Sequence, residues 1–163
     1  MQDKRESISQ FLKNIDKNWP QLKNTTNPEI IKIHRLNEYL QTELVQLLSQ
    51  YKLLQADLSV ISALRRSGEP YCLTPTELTN CMLFSSGGLT KVLNRVTDMG
   101  LVERLDNPQD KRSKLVKLTN TGLQLVEQIM PEIQVLENKR QLLNQDEKQT
   151  LNCLLDKLLS HWE

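Results

Sequence analysis

The chain has 163 residues, of which 38% are hydrophobic and 25% charged, with a formal net charge of +1. This length suits one domain or two small lobes that share a core, and the apolar content excludes wholesale disorder. No uncharged apolar run reaches the roughly 18 residues that a membrane-spanning helix needs, and the first residues lack the apolar stretch of a signal peptide. We therefore expect a globular, cytoplasmic protein with no membrane partner.

The cysteines predict neither a metal site nor another cofactor. Cys72, Cys81 and Cys153 form no Cys-x-x-Cys pair, and no histidine lies near them at zinc-ligand spacing, so reduced thiols are expected. Cys81 and Cys153 fall at or near apolar positions of predicted helices, which predicts that they are buried. Cys72 follows Tyr71 in a predicted loop and is expected to be the most exposed of the three.

Two amphipathic helices are predicted in the N-terminal third. Apolar residues spaced three and four apart, from Ile8 to Trp19, line one face of a first helix that ends at Pro20. Asn27 as N-cap and Pro28 at the first helical position open a second helix of about 20 residues. Its apolar stripe consists of Ile30, Ile33, Leu36, Leu40, Leu44, Leu47 and Tyr51. A helix of this length with one stripe suits an interface between chains, so we interpret it as dimerisation scaffold.

Two short helices with a tight connection are predicted in the centre of the chain. The helical period continues beyond the scaffold helix until residues 65–70, where a glycine and a proline end it. The segment Thr74–Glu77 is a strong start signal, because it combines a threonine cap, a proline and a capping-box glutamate. After a turn at 84–88, a second short helix follows and Gly100 closes it. Its apolar stripe consists of Leu89, Val92, Leu93, Val96 and Met99.

A hairpin is predicted next, because segments 102–105 and 114–118 alternate apolar and polar residues with the period of half-buried strands. The polar, basic segment 106–113 joins them. Two short helices followed by such a hairpin are the pattern of a winged helix-turn-helix.

Two further helices complete the chain. Thr119 or Thr121 is expected to cap a long helix that Pro131 at most kinks. Asn144 with Glu147 opens the last helix. Its apolar stripe consists of Leu151, Leu154, Leu155, Leu158 and Trp162.

The predicted fold is mainly α with a small β-hairpin, a winged helix-turn-helix flanked by N- and C-terminal dimerisation helices. We assign residues 1–54 to the N-terminal extension and dimerisation helices, 55–118 to the DNA-binding domain and 119–163 to the C-terminal dimerisation helices.

The second short helix is the candidate DNA-reading element, since the second helix of such a unit lies in the major groove. With its apolar stripe facing inward, its other side presents groups that can bond to bases and phosphates. These are Ser85, Ser86, Gly87, Thr90, Lys91, Asn94 and Arg95. An ordinary exposed helix face is the alternative, and Ser85 and Ser86 are equally explained as helix caps. Gly87 and Gly88 disfavour helix, which a close approach of backbone to phosphate would explain.

The hairpin tip is the second candidate DNA contact. Arg112 suits the electronegative minor groove, and Lys111 and Lys114 suit phosphates, although a solvated hairpin tip is the alternative. Asp110 has the wrong charge for DNA and is expected to orient Arg112 through a carboxylate–guanidinium pair. From residue 85 to 117, seven basic minus four acidic side chains leave +3, so the rest of the chain carries −2.

Several stretches together resemble the MarR (multiple antibiotic resistance regulator) family in order and spacing, over about half the chain. They are Leu73–Leu78, Ser85–Val96, Gly100–Arg104, Asp110–Ser113 and Val116–Gly122. The resemblance implies a homodimeric transcription regulator, usually a repressor, on a pseudo-palindromic operator in double-stranded DNA. A small-molecule effector, lodged between the DNA-binding lobe and the dimer helices, often releases such regulators. By position the family's wing arginine is Arg112 and its partner aspartate Asp110. Many relatives have arginine where this chain has Lys111, which makes bidentate contact there less expected.

The resemblance also leaves two sensing mechanisms open. Part of the family uses a thiol switch, which makes a redox-sensing regulator through Cys72, Cys81 or Cys153 an alternative, although none occupies the N-terminal position of the family's peroxide sensors. Some relatives bind urate with a tryptophan of an N-terminal helix, which makes Trp19 a candidate effector-binding residue. Packing of Trp19 on the dimer scaffold is the simpler explanation.

Other classes of protein fit the sequence less well. No phosphate-binding glycine loop, Gly-x-Ser-x-Gly elbow or His-Glu-x-x-His motif occurs, so an enzyme is not expected. A winged-helix adaptor that binds proteins instead of DNA stays open, but it would have no reason to keep Lys91, Arg95 and Arg112 together. A sequence-nonspecific architectural DNA protein is disfavoured by the near-neutral net charge.

Overall fold

The computed structural model describes residues 5–82, 88–110, 112–139 and 142–162. The chain divides into two compact units, Met1–Gln55 and Ala56–Glu163. The described parts are mostly helical and carry one small antiparallel sheet, which confirms the predicted fold class. No helix in these parts is both long and apolar enough to cross a membrane.

The N-terminal unit contains the two predicted helices, α1 (Ile8–Asn18) and α2 (Pro28–Gln50), with a 3₁₀ turn at Pro20–Leu22 between them. The Ser7 hydroxyl caps α1 by accepting a hydrogen bond from a backbone N–H, and α1 ends ahead of Pro20 as predicted. Asn27 occupies the N-cap position of α2, but its side chain makes no capping hydrogen bond. Pro28 therefore carries the start signal, because its fixed φ suits the first helical position.

The apolar period that continues beyond α2 belongs to a separate helix, α3 (Gln55–Arg66). Lys52 takes a left-handed backbone conformation with φ of 56°, which no α-helix accommodates, and so the chain turns between α2 and α3. The remaining helices are α4 (Pro75–Cys81), α5 (Leu89–Asp98), α6 (Asn120–Asn138) and α7 (Gln145–Leu159).

Helix starts in the second unit follow the predicted caps. Thr74 with Glu77 and Asn144 with Glu147 both form complete capping boxes. Thr119, and not Thr121, caps α6, since its hydroxyl accepts the Gly122 N–H at 3.0 Å. Because each of these bonds satisfies an N–H that the helix itself leaves without a partner, the caps fix where the helices begin.

The sheet has three strands, β1 (Cys72–Leu73), β2 (Val102–Asp106) and β3 (Lys114–Leu118), in the order β1-β3-β2. The β2–β3 hairpin is the predicted one, with Asp106 opposite Lys114. β1 adds a third strand, in which Cys72 pairs with Lys117, so the prediction of a loop at Cys72 is wrong. A strand of two residues is too short to show a period of two in the sequence.

The buried core of the second unit draws on α3, α4, α5, the sheet and α6. Its most buried side chains include Val60, Ile61, Leu64, Leu78, Val96, Val116, Val126 and Ile129. α3 is buried on nearly all sides and carries the buried carboxylate of Asp57 among its apolar residues. The partly exposed amphipathic helix α5 packs Leu93 and Val96 inward and leaves its polar face outside.

The burial expected of the cysteines is wrong. Cys81 and Cys153 are exposed, whereas Cys72 is half-buried. Cys81 is the last residue of α4, and the inward stripe of that helix passes from Leu78 to Met82 beside it. Cys153 lies on α7, which buries none of its residues. Burial raises the pKa of the Cys72 thiol, and pairing with β3 explains why this side chain is partly covered.

Candidate nucleic-acid interface

α5 begins immediately after a glycine with an unusual backbone conformation. Gly88 occupies the N-cap position with φ of +100°, a conformation that side chains disfavour, and open space surrounds the place where a Cβ would stand. A requirement for glycine here is therefore explained by the turn itself and needs no phosphate. Ser85, Ser86 and Gly87, which the sequence assigned to DNA, lie outside the described residues.

The polar face of α5 carries the other predicted contacts of this helix. Thr90, Lys91, Asn94 and Arg95 are all exposed, while Leu93 and Val96 are buried on the opposite side. The exposed face offers hydroxyl, amide, ammonium and guanidinium groups within one helix, and these are the groups that bond to base edges and phosphates.

Arg95 forms an ion pair with a buried carboxylate that the sequence analysis missed. Its Nε donates to Oδ2 of Asp57 at 2.8 Å, and the Asp57 side chain is 0% exposed while that of Arg95 is 42% exposed. Asp57 stands in the first turn of α3, 38 positions before Arg95. A carboxylate removed from water needs a cation or hydrogen-bond donors, and Arg95 meets that need while its guanidinium stays at the surface.

Asn94, the neighbour of Arg95, accepts a hydrogen bond from a residue of the sheet. Nη2 of Arg104 on β2 donates to Oδ1 of Asn94 at 2.6 Å. Arg104 is exposed and was not among the predicted site residues. In the register it stands opposite the buried Val116, on the face of the sheet that also carries Val102. Its signal in the sequence was a basic residue two positions after Val102, where the strand period predicts an apolar one.

The stem of the hairpin is lined by pairs of opposite charge. Lys114 and Asp106, which stand opposite each other in the register, form an ion pair. The hydrogen bond that the Lys114 ammonium donates within this pair lowers the pKa of Asp106 below its ordinary value. Lys117 and Glu103 form a second cross-strand pair at 3.6 Å. Lys114 was predicted to contact phosphate, and in the structure it sits half-exposed against Asp106.

The hairpin tip has the arrangement expected of an oriented arginine. Oδ1 of Asp110 accepts hydrogen bonds from the backbone N of Arg112 at 3.0 Å and from its Nε at 3.3 Å. The Arg112 side chain is 92% exposed. One carboxylate oxygen thus bonds to both the backbone N and the side-chain Nε of Arg112, while most of the side chain stays exposed to solvent. Lys111 lies outside the described residues, and contact of this tip with DNA stays a prediction.

Trp19, the candidate effector-binding residue, lies in the N-terminal unit and is 59% exposed. Together with Phe11, Asn14, Ile15 and Asn18 it lines an open groove of about 270 Å³ along α1. The groove joins apolar rings to two amide side chains. Its role in binding an effector stays a prediction.

The described parts of the chain hold no cluster of three or more side chains suited to a metal ion. What they hold is a helix with an exposed hydrogen-bonding face and a hairpin with an exposed, oriented arginine. These are the groups that contact phosphates and base edges of a nucleic acid.

Comparison with known proteins agrees with this geometry. The sequence model of the MarR family matches residues 51–113. The multiple antibiotic resistance protein MarR of Escherichia coli (strain K12) is 36% identical over 129 residues, which are 78% of this chain and 88% of MarR.

Two solved structures have the same fold. A mutant MarR from E. coli complexed with operator DNA superposes with a TM-score of 0.66 at 32% identity, covering 89% of this chain and 97% of that chain. Bordetella bronchiseptica BpsR, whose DNA binding is regulated by 6-hydroxynicotinic acid, superposes with a TM-score of 0.66 at 25% identity, over 77% of this chain and 89% of that chain. The winged helix-turn-helix, the sequence match and these likenesses lead to one conclusion: the chain belongs to the MarR family.

Proposed function

We propose that the protein is a sequence-specific transcription regulator that binds a pseudo-palindromic operator with α5 in the major groove and the hairpin tip over the adjacent minor groove. The observation that carries the proposal is the exposed arginine at the hairpin tip, Arg112, oriented by Asp110. Further support comes from the exposed polar face of α5 and from the MarR relative that binds operator DNA. The predicted DNA contacts on these elements are Thr90, Lys91, Asn94, Arg95, Arg112 and Lys114.

The proposal includes a homodimer. Two helices present apolar side chains that the described chain leaves exposed, on α2 Leu36, Leu40 and Val45, and on or next to α7 Leu154, Leu158 and Trp162. Water contact with so many large apolar groups is unfavourable, and a two-fold copy of the same surface would cover them. The two copies of α5 would then read half-sites about one helical turn of DNA, or 34–36 Å, apart.

We propose that the protein represses transcription and that a small organic effector relieves this repression. The support is that 6-hydroxynicotinic acid regulates the DNA binding of the relative BpsR, together with the groove beside Trp19. An effector that binds the DNA-free arrangement more tightly than the DNA-bound one lowers the bound population by its difference in affinity. Such a regulator would act in the cytoplasm, where it meets chromosomal DNA.

In vitro selection tests the proposal without knowledge of the operator. A randomised duplex library is passed over the purified full-length protein, and enriched duplexes are then compared with shuffled versions by fluorescence anisotropy at two salt concentrations. We expect a two-fold symmetric consensus with half-sites about 10 base pairs apart, bound at least 10³-fold more tightly than shuffled duplex. Affinity should fall steeply with salt, because bound phosphates release counterions. No enrichment at all would favour a protein-binding adaptor, and binding without a consensus would favour an architectural protein.

A further inference from the structure

We propose that Asp57 is a positioning residue for operator recognition, in that its buried carboxylate anchors Arg95 and so fixes the orientation in which α5 presents its polar face. This inference rests on the proposed DNA-binding function. Asp57 itself does not reach the surface, since its side chain is 0% exposed. Its effect on DNA must therefore pass through Arg95.

The carboxylate of Asp57 is buried in the second unit. A carboxylate loses its hydration in the core of the second unit, and only close, well-aligned donors compensate for that loss. Arg95 supplies one such donor through Nε at 2.8 Å. Separating this pair is costly, so Nε of Arg95 stays bonded to the buried carboxylate. The rest of the guanidinium lies at the surface of α5 that we propose faces DNA.

The contacts of α5 differ in how strictly they fix the rotation of this helix. The apolar contacts of Leu93 and Val96 hold α5 against the core, but apolar packing has little directional preference and tolerates small rotations of a helix. Hydrogen bonds lose strength steeply when distance and angle change. Asp57 on α3 holds Arg95, and Arg104 on β2 holds Asn94. Two adjacent residues of α5 are thus fixed by two different elements, so a rotation that preserved one contact would strain the other.

The negative charge of Asp57 makes a positioning role distinguishable from simple structural support. Asp57 neutralises Arg95 where it stands, so the pair adds little to the attraction between the protein and phosphate. In Asp57→Asn the shape of the side chain is kept and its charge is lost, which removes one negative charge beside Arg95. We therefore expect shuffled duplex to bind Asp57→Asn as tightly as wild type or more tightly, while discrimination in favour of the selected duplex falls.

A competing explanation is local to α3. A carboxylate in the first turn of a helix is stabilised by the helix dipole, and Asp57 could serve that purpose alone. In that case Asp57→Asn would lower stability, and would lower binding to selected and shuffled duplexes by one common factor. The identity of residue 95 would not alter the effect of the substitution.

The experiment measures affinity for selected and shuffled duplexes across a salt series, together with the free energy of unfolding. The variants are wild type, Asp57→Asn, Asp57→Glu, Arg95→Ala and the double variant Asp57→Asn/Arg95→Ala. The matched control is Asp98→Asn, which removes an exposed carboxylate from α5 itself.

For Asp57→Asn we expect a loss of discrimination of about tenfold, and a salt dependence that is steeper by up to about one counterion per chain. Asp57→Glu should restore part of the discrimination, because it restores the carboxylate. The double variant should discriminate no worse than Arg95→Ala, and Asp98→Asn should discriminate as wild type does.

Unchanged discrimination in Asp57→Asn would overturn the inference, and so would an equal loss on both duplexes with an unchanged salt dependence. If Asp57→Asn does not fold, Arg95→Lys decides: it keeps the charge but loses the fixed guanidinium fork, and retained discrimination in that variant would refute the inference. A wild-type protein that fails to discriminate would refute the proposed function as well, which is a separate result.

Discussion

Gly122→Ala is expected to destabilise the second unit by a steric conflict at the start of α6. A Cβ at this position would stand 2.1 Å from the carbonyl oxygen of Leu101 and 2.8 Å from Cδ1 of Leu118. Contacts of a Cβ under 3.0 Å essentially do not occur, and 3.0 minus 2.1 leaves a displacement of at least 0.9 Å. The Leu101 carbonyl cannot move freely, because it accepts hydrogen bonds from the backbone N and the hydroxyl of Thr119, both at 3.0 Å.

The size of the effect follows from these contacts. Overpacking of a core costs about 1–3 kcal/mol, and a strained hydrogen bond adds about 1 kcal/mol. The greater helix propensity of alanine returns at most about 1 kcal/mol. We therefore expect Gly122→Ala to lower the free energy of unfolding by about 1–3 kcal/mol, which for a chain of this size lowers the melting temperature by roughly 2–12 °C.

Urea and thermal unfolding, followed by circular dichroism, measure this effect. Thr121→Ala is the matched control, because Thr121 is the exposed neighbour in the same helical turn and its substitution should change stability little. Helix propensity alone predicts the opposite sign for Gly122→Ala, namely a small gain in stability. An unchanged or raised melting temperature would therefore refute the steric reasoning.

Two further predictions concern titratable side chains. Hydrogen bonds from the backbone and hydroxyl of Thr74 lower the pKa of Glu77 below its ordinary value of 4.5. The ionised Glu77 carboxylate therefore stabilises the folded protein fully above about pH 4.5, and this stabilisation is lost as the pH falls through the lowered pKa. Glu77→Gln should thus be less stable than wild type at pH 7 and less sensitive to acid below about pH 4.5, and identical pH profiles of unfolding would contradict this. In a Cys153→Ser background, Cys81 should react with a thiol reagent faster than Cys72, because Cys81 is exposed while burial raises the pKa of Cys72. Equal rates would count against the different surroundings of these two thiols.

Helix starts were predictable from the sequence because their signals are local. The capping boxes at Thr74 and Asn144 use residues three positions apart, and both form as expected. Periodicity likewise predicted α5 and the β2–β3 hairpin, since each buries one face against the core. The arrangement of Asp110 and Arg112 was predictable for the same reason, because the two residues are only two positions apart.

Features that depend on distant partners were not predictable in this way. β1 is a strand only because Cys72 and Leu73 pair with β3, more than 40 positions further on. Asp57 was not among the predicted site residues, because its partner Arg95 follows 38 positions later. Cys81 was expected to be buried on helical period alone, and its place at the end of α4 was decided by where that helix stops.

Arg112→Ala tests most directly whether the hairpin tip reads operator DNA together with α5. Its side chain is 92% exposed, so the substitution should leave the melting temperature unchanged. The measurement is the affinity for the selected duplex, compared between wild type, Arg112→Ala and Lys13→Ala, an exposed lysine of α1 whose loss changes the net charge equally. We predict that Arg112→Ala weakens binding at least about tenfold in a dimer with two wings, and that Lys13→Ala binds as wild type does. Equal affinity of Arg112→Ala and Lys13→Ala for the selected duplex would contradict the account.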